Sequence, residues 1–266
     1  MQLEMDIEGG EHLSAPTSVC VVLVCNKAYL SRFVDTYEQL RNRGKYKGDV
    51  TLVIGNDIDV GELKQQEKFV DVNIIKFPDI KFSERFYKIN RFVNIYPHTT
   101  KRFQWHKLHL FDVYFKKWNY IFYMDCGMNI YGDIEPILGL RVPNRLLAHS
   151  DSYPNYRYSL RSQFNSSHPL YKLLEREYKL NIDFFQTTMF ILDTNLITST
   201  LFNDLYAMSE KYPISRMNDQ GIIALYFTKN NLWSPIKLGD ANSNYYDYLA
   251  RKGNRKPYLM LKVPIR

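Results

Sequence analysis

Trp118-Asn-Tyr-Ile-Phe-Tyr-Met-Asp-Cys-Gly-Met-Asn-Ile-Tyr-Gly-Asp-Ile-Glu-Pro-Ile-Leu138 is the stretch on which the fold turns. A short apolar run, Tyr120 to Met124, gives way at once to an acid, a small residue and a glycine. Such a run bounded by turn residues predicts a buried strand with the Asp125 carboxylate at its carboxyl tip. In an open α/β sheet, ligands bind in the crevice outside those tips. Gly127 would let the backbone approach a bulky ligand closely. The plainer reading is a strand followed by an Asp-Cys-Gly turn, so the neighbouring segments have to decide.

Upstream, Ser18 to Cys25 reads as another buried strand, stopping at Asn26-Lys27, and apolar residues from Tyr29 to Arg41 recur at helical spacing. Gly48 to Asp57 repeats the passage from strand to polar turn, and Val72 to Phe77 is a third strand ended by Pro78. Trp105, Leu108, Phe111, Val113 and Tyr114 predict a largely buried helix leading into the central strand. Downstream come a strand ending at Ser150-Asp151, a polar and aromatic segment from Ser152 to His168, and a helix over Pro169 to Lys179. A strand over Asp183 to Asp193 and helices from Ser199 and from Asn218 follow, with Asn218 the expected N-cap of the last. Strands alternating with helices predict an α/β protein with a mainly parallel central sheet flanked by helices.

The 266 residues, 45% hydrophobic and 24% charged, suffice for a single domain over 18–266 behind an N-terminal tail, 1–17. No run of eighteen apolar residues occurs, and Met1 to Pro16 is acidic and polar, so a soluble, cytoplasmic protein without a transmembrane segment is expected. Three cysteines make no disulfide framework; Cys20 and Cys25 on one strand would point to opposite faces. GxGxxG and GxxxxGK[ST] are both absent, which removes the main support for a dinucleotide-binding or P-loop protein. The net charge of +7 favours an anionic partner.

The order of these landmarks resembles that of the GT-A (Rossmann-like) fold nucleotide-sugar glycosyltransferases, especially the glycogenin-like group. Trp105-His-Lys-Leu-His-Leu-Phe-Asp112 is similar to that group's lysine helix, and Tyr120 to Ile134 to its strand, Asp-x-Asp motif and sequel. Phe185 to Asp193 and Asp219-Gln220 are similar to its later strand and helix. There is a looser similarity to glycosyltransferases of large algal viruses. The resemblance implies transfer of a sugar, hexose or xylose, from a nucleoside diphosphate such as UDP to a hydroxyl of a glycan or glycoprotein acceptor.

For the donor it implies Val24, Asn26 and Asn56 or Asp57 near the base and ribose. Lys107, Asp125, Cys126 and Gly127 would lie near the diphosphate, with Cys126 a small packing residue, and Gln186, Thr187 and Gln220 near the sugar. Asp219 is the first choice of base for an inverting transfer and Asp151 the second. Gly127 stands where the family has its second acid, so Asp125 is left as the one named ligand for Mn²⁺ or Mg²⁺ and metal dependence stays open. Lys262, Arg255 or Arg266 would offer cationic compensation at the leaving diphosphate.

Between Lys81 and Lys107, basic residues alternate with Phe82, Phe86, Tyr87, Phe92, Phe103 and Trp105. That stretch reads either as an anion-binding wall or as amphipathic helices with solvated basic faces. It also keeps open a nucleic-acid-binding protein, which would leave the acids at the strand tips unexplained. A nucleotidyltransferase should carry a glycine-rich signature near its first strand, and none is present. Gly127 keeps open a catalytically inactive sugar-binding relative.

Overall fold

The computed structural model describes residues 18–93, 99–152 and 157–236, together with the short strands 246–248 and 260–262. The chain opens with strand β1 (Val19–Cys25), helix α1 (Leu30–Asn42), β2 (Asp49–Ile54), the short α2 (Val60–Lys64), β3 (Val72–Lys76) and α3 (Glu84–Val93). After two 3₁₀ segments, Thr99–Phe111 and Val113–Lys117, come β4 (Tyr120–Met124), β5 (Met128–Ile130), α4 (Glu135–Leu138) and β6 (Leu146–Ser150). The rest is α5 (Leu170–Glu177), β7 (Phe185–Asp193), α6 (Leu201–Lys211), α7 (Asp219–Lys229), β8 (Trp233–Ile236), β9 (Tyr246–Tyr248) and β10 (Met260–Lys262).

The central sheet has the order β3-β2-β1-β4-β7-β6-β8. Its β1/β2, β2/β3, β1/β4 and β6/β8 pairs are parallel, while β7 runs antiparallel to both β4 and β6. Alternation along the pleat feeds two cores. Cys20, Val22, Ile121, Tyr123 and Phe190 pack with Trp105, Phe111, Leu205 and Ile223 on one side. Val21, Leu23, Cys25, Phe122 and Ile191 pack with Phe33, Leu40 and Ile137 on the other. Cys20 and Cys25 therefore do lie on opposite faces, both buried and free.

The reversed direction of β7 positions the site. Met124 pairs with Met189 and the Asp125 amide donates to the Thr188 carbonyl at 2.8 Å, so β7 enters the sheet where β4 leaves it. Ser150 pairs with Phe185 at the same edge. The carboxyl tips of β1, β4 and β6 and the first residues of β7 thus share one rim. Strands β5, β10 and β9 form a small second sheet whose register sets Lys262 opposite Met128, next to Gly127. This brings residues 260–262 back to that rim. No helix among the described residues is long and apolar enough to cross a membrane.

Two local expectations are corrected. The Trp105 to Tyr114 stretch winds as 3₁₀ segments, not as an α-helix. Residues three apart eclipse in that winding, which aims His106 Nε2 at the Ile54 carbonyl (3.1 Å) and His109 Nε2 at the Pro78 carbonyl (3.0 Å). Asn218 stands before α7 but makes no side-chain cap. Its backbone is left-handed (φ 51°), its carbonyl accepts from Ser215 Oγ at 2.6 Å, and its side-chain amide donates to Gln104 Oε1.

Candidate active site

Lys107 is the centre of the rim. The 3₁₀ winding that buries Trp105, His106 and Leu108 also buries this lysine, and its ammonium faces three oxygens. Nζ lies 3.0 Å from Asp125 Oδ1 and 3.6 Å from Asp219 Oδ2, and donates to the Thr187 carbonyl at 3.2 Å. The strand tip, the mouth of β7 and the first turn of α7 are thereby tied to one cation.

The surrounding bonds fix each carboxylate. Tyr123 Oη donates to Asp125 Oδ1 at 2.6 Å, from two residues back on the same strand face. Burial, then Asp125, push the Tyr123 hydroxyl well above its ordinary pKa, so it stays a donor. Thr187 Oγ1 donates to Asp219 Oδ2 at 3.0 Å, and the Thr187 amide donates to Gln220 Oε1 at 3.3 Å. Gln220 Nε2 in turn donates to Gln163 Oε1 at 3.0 Å. Part of the Ser152 to His168 segment is therefore packed against α7 as support, and residues 153–156 of it lie outside the described residues.

Burial alone would lower the Lys107 pKa, but Asp125 and then Asp219 outweigh it, and the net shift is upward. Asp219, only 2% exposed, is raised because burial exceeds what Lys107 and Thr187 return. The lysine thus behaves as a well-paired cation while Asp219 is a reluctant anion. The distances say why: Asp125 takes the larger share of the charge.

Asp151 belongs to the same rim farther along. Its amide donates to the Phe184 carbonyl at 3.0 Å, four residues before Thr188 on β7. At ~3.3 Å per residue this is an offset of roughly 13 Å along β7, and because β4 and β6 flank β7 on opposite sides the backbones at Asp125 and Asp151 are farther apart than that. Its carboxyl is partly exposed and raised above the usual range, by burial first and by Asp183 last, with a hydrogen bond from Gln186 opposing. Ser150 and Ser152 hydroxyls both donate to Asp183 Oδ1, at 2.7 and 3.0 Å.

At the tip of β1, Asn26 Oδ1 is sealed from solvent with no hydrogen-bond partner. A buried acceptor left unpaired costs about 1–3 kcal/mol. Asn56 and Asp57 are exposed at the tip of β2: the Asn56 amide donates to Asp79 Oδ1 (3.1 Å), and Asp57 Oδ2 accepts from the Lys27 amide (2.9 Å). Cys126 is buried, its thiol directed at the Val24 carbonyl 3.5 Å away, which joins the β1 and β4 tips. The side chains of Lys262, Arg255 and Arg266 lie outside the described residues.

The described donors do not fit a divalent cation held by the protein. Asp125 Oδ1 is already shared by the Tyr123 hydroxyl and the Lys107 ammonium. Gly127 offers no second carboxylate, and His106 and His109 are turned to backbone carbonyls. No group of three His, Cys, Asp or Glu among the described residues is arranged as a metal site.

The basic wall also resolves. Phe82, Phe86 and Trp105 are core, and Lys81, Arg85, Lys88, Arg91 and Arg102 are exposed, so among the described side chains of that set Lys107 is the one cation buried at the rim. Buried rings cannot serve as stacking platforms for single-stranded bases. Two cavities, of about 580 and 650 Å³, open elsewhere, one beside Arg41 and Tyr46 and the other beside Glu177 and Lys229.

Comparison with solved structures places this architecture. Mouse xyloside xylosyltransferase 1, in its apo form, superposes with a TM-score of 0.55 at 10% identity, over 94% of this chain and 100% of that one. The galactosyltransferase LgtC, in complex with donor and acceptor sugar analogues, gives 0.59 at 11% identity, over 92% and 86%. The chain has the GT-A fold. GlyE of Streptococcus pneumoniae, a glycosyltransferase, gives 0.52 at 16% identity over 84% of this chain, which spans only 46% of GlyE. No protein-family profile matches the sequence, and no curated protein sequence does. In GT-A terms the Lys107 cluster lies at the carboxyl ends of the strands, where an open α/β sheet takes its ligand.

Of the expected site residues, Lys107, Asp125, Thr187, Asp219 and Gln220 meet in one hydrogen-bonded cluster. Tyr123 and Gln163 were missed. Tyr123 was legible in its i, i+2 spacing from Asp125, whereas nothing in the sequence ties Gln163 to Gln220 across 57 positions.

Proposed function

We propose that this chain is a glycosyltransferase that moves a sugar, a hexose or xylose, from a nucleoside diphosphate, UDP first, to a hydroxyl of a glycan or glycoprotein. The observation that carries the reading is the charged Lys107 held between Asp125 and Asp219 in a GT-A crevice. Asn26 at the tip of β1, with its unpaired buried carbonyl, would meet the base, with Asp57 close by. The diphosphate would lie beside Gly127, between the β1 and β4 tips, and the sugar along Gln186 and Thr187 toward Asp151.

In the reaction the acceptor oxygen bonds to the anomeric carbon as the bond from that carbon to the β-phosphate oxygen breaks. The electron pair leaves with the nucleoside diphosphate. The transition state carries positive charge on the ring and negative charge on the departing phosphate, so fixed charges at both ends lower the barrier. The acceptor's proton goes to a carboxylate. Asp219 has its Oδ2 occupied by Thr187 and faces Lys107, so its work is to hold the lysine; Asp151, partly exposed with a raised affinity for protons, takes the proton.

A thermal-shift panel of UDP-, GDP-, CMP- and TDP-sugars with and without Mn²⁺ tests the reading, followed by donor turnover and the anomeric configuration of the product. A donor at a hundred times its Kd stabilises by about 2.7 kcal/mol. Silence across the panel would refute the assignment, and binding without any turnover would leave an inactive sugar-nucleotide receptor.

A further inference from the structure

Gly127 does more than remove an acid: the space in front of it is taken by a base. Its φ is +87°, and a Cβ built there would lie 3.7 Å from Arg32 Cδ and 3.9 Å from Arg32 Nη1. Arg32 is on α1, one turn before Thr36, so both project from one face of the helix. Thr36 clamps that face to the loop: its Oγ1 accepts from the Gly127 amide at 2.9 Å and donates to the Met128 carbonyl at 3.3 Å. Gln39, next along α1, accepts the Ile130 amide at 3.0 Å through Oε1. The arginine is therefore carried on a braced support.

Its charge is uncommitted among the described residues. The ion pairs there join Lys107 to Asp125 and Asp219, Arg161 to Glu175, and Lys211 to Glu177; none includes Arg32. The guanidinium instead rests over the Tyr29 ring, 5.1 Å from its centroid, partly exposed at the rim. Lys107, by contrast, spends its charge on two carboxylates and has little left for a ligand. An anion arriving between the β1 and β4 tips would find Arg32 as the fixed cation, with a planar fork suited to paired phosphate oxygens.

We propose that Arg32 neutralises the donor's diphosphate in place of a protein-held divalent cation. This rests on the nucleotide-sugar reading above and names the group that makes the missing second acid dispensable. As the anomeric bond breaks, the electron pair and added charge on the β-phosphate oxygen are met by the guanidinium, and no metal has to be bound or released.

The test is calorimetric titration of the whole chain with UDP and with uridine, in EDTA and in Mn²⁺. Wild type should bind UDP within about twofold in the two buffers. Arg32→Ala should weaken UDP by about tenfold or more and leave uridine unchanged, since loss of one charge-assisted contact to phosphate acts only on the diphosphate. Arg32→Lys should recover part of the loss. Gly127→Asp should weaken UDP in EDTA, because the new carboxylate would pair with the guanidinium. A tenfold loss of wild-type UDP affinity in EDTA, UDP binding indifferent to Arg32→Ala, or uridine lost in parallel with UDP would each overturn this inference while the nucleotide-sugar reading stands. Failure of every nucleotide and sugar nucleotide to bind wild type would overturn that reading, and this one with it.

Discussion

Lys107→Met removes the ammonium and keeps most of the side chain's volume. The two contacts it breaks are worth about 5 kcal/mol each by Coulomb's law at 3.0 and 3.6 Å with an effective dielectric of ~20. Desolvation of the lysine offsets much of that, and removing one partner of a buried ion pair typically costs about 3–5 kcal/mol net. For a chain of 266 residues this lowers Tm by about 6–20 °C. The loss should depend on pH in a defined sense. The folded-state pKa of Asp219 already lies above its unfolded value. The stability linked to its proton is therefore full below the unfolded pKa and disappears as pH rises through the folded one. Without Lys107 the folded pKa rises further and the window widens, so the deficit is largest near pH 7 to 8 and shrinks toward pH 4. Adding Asp219→Asn to Lys107→Met should restore most of the stability at pH 7. Denaturant unfolding of wild type, Lys107→Met and the double variant across that pH range measures it. A single variant within about 1 kcal/mol of wild type at pH 7, or a double variant no better than the single, would refute the picture of a lysine-neutralised buried acid.

Two further outcomes follow from the rim. Asp151→Asn should cut kcat by about 10²- to 10⁴-fold with donor affinity unchanged, and the acid limb of the wild-type pH–rate profile should lie above the ordinary aspartate range, because burial raises this carboxyl. The same raised pKa means that ionised Asp151 costs stability at neutral pH, so the variant should melt no lower than wild type, and a clear fall in Tm would assign the residue a structural role. Asn26→Ala deletes a buried acceptor that has no partner, so stability should hold or rise while uridine and UDP weaken together by about tenfold; unaltered uridine binding would remove Asn26 from the base site.

The sequence by itself determined six of the seven strands of the central sheet, because burial leaves its mark as local apolar runs closed by polar residues; the edge strand β8 and the short β5, β9 and β10 carry no such run and were not legible. Tyr120 to Met124 followed by Asp125, and β1 closing at Asn26, are legible in that way. So was the separation of Cys20 from Cys25, a matter of parity along one strand. Direction was not legible: the apolar run of β7 has no local feature that distinguishes its two pairing senses, and its reversal is what delivers Thr187 and Gln186 to the tip of β4. The winding of residues 105–111 was hidden for a similar reason, since a run that is buried at every position shows no single face. Tertiary structure alone decided that Lys107 would spend its charge on Asp125 and Asp219, 18 and 112 positions away. It also turned the absence at Gly127, readable as a missing ligand, into a place held by Arg32. Contacts across such separations depend on how helices dock on the sheet, and local sequence carries no record of that.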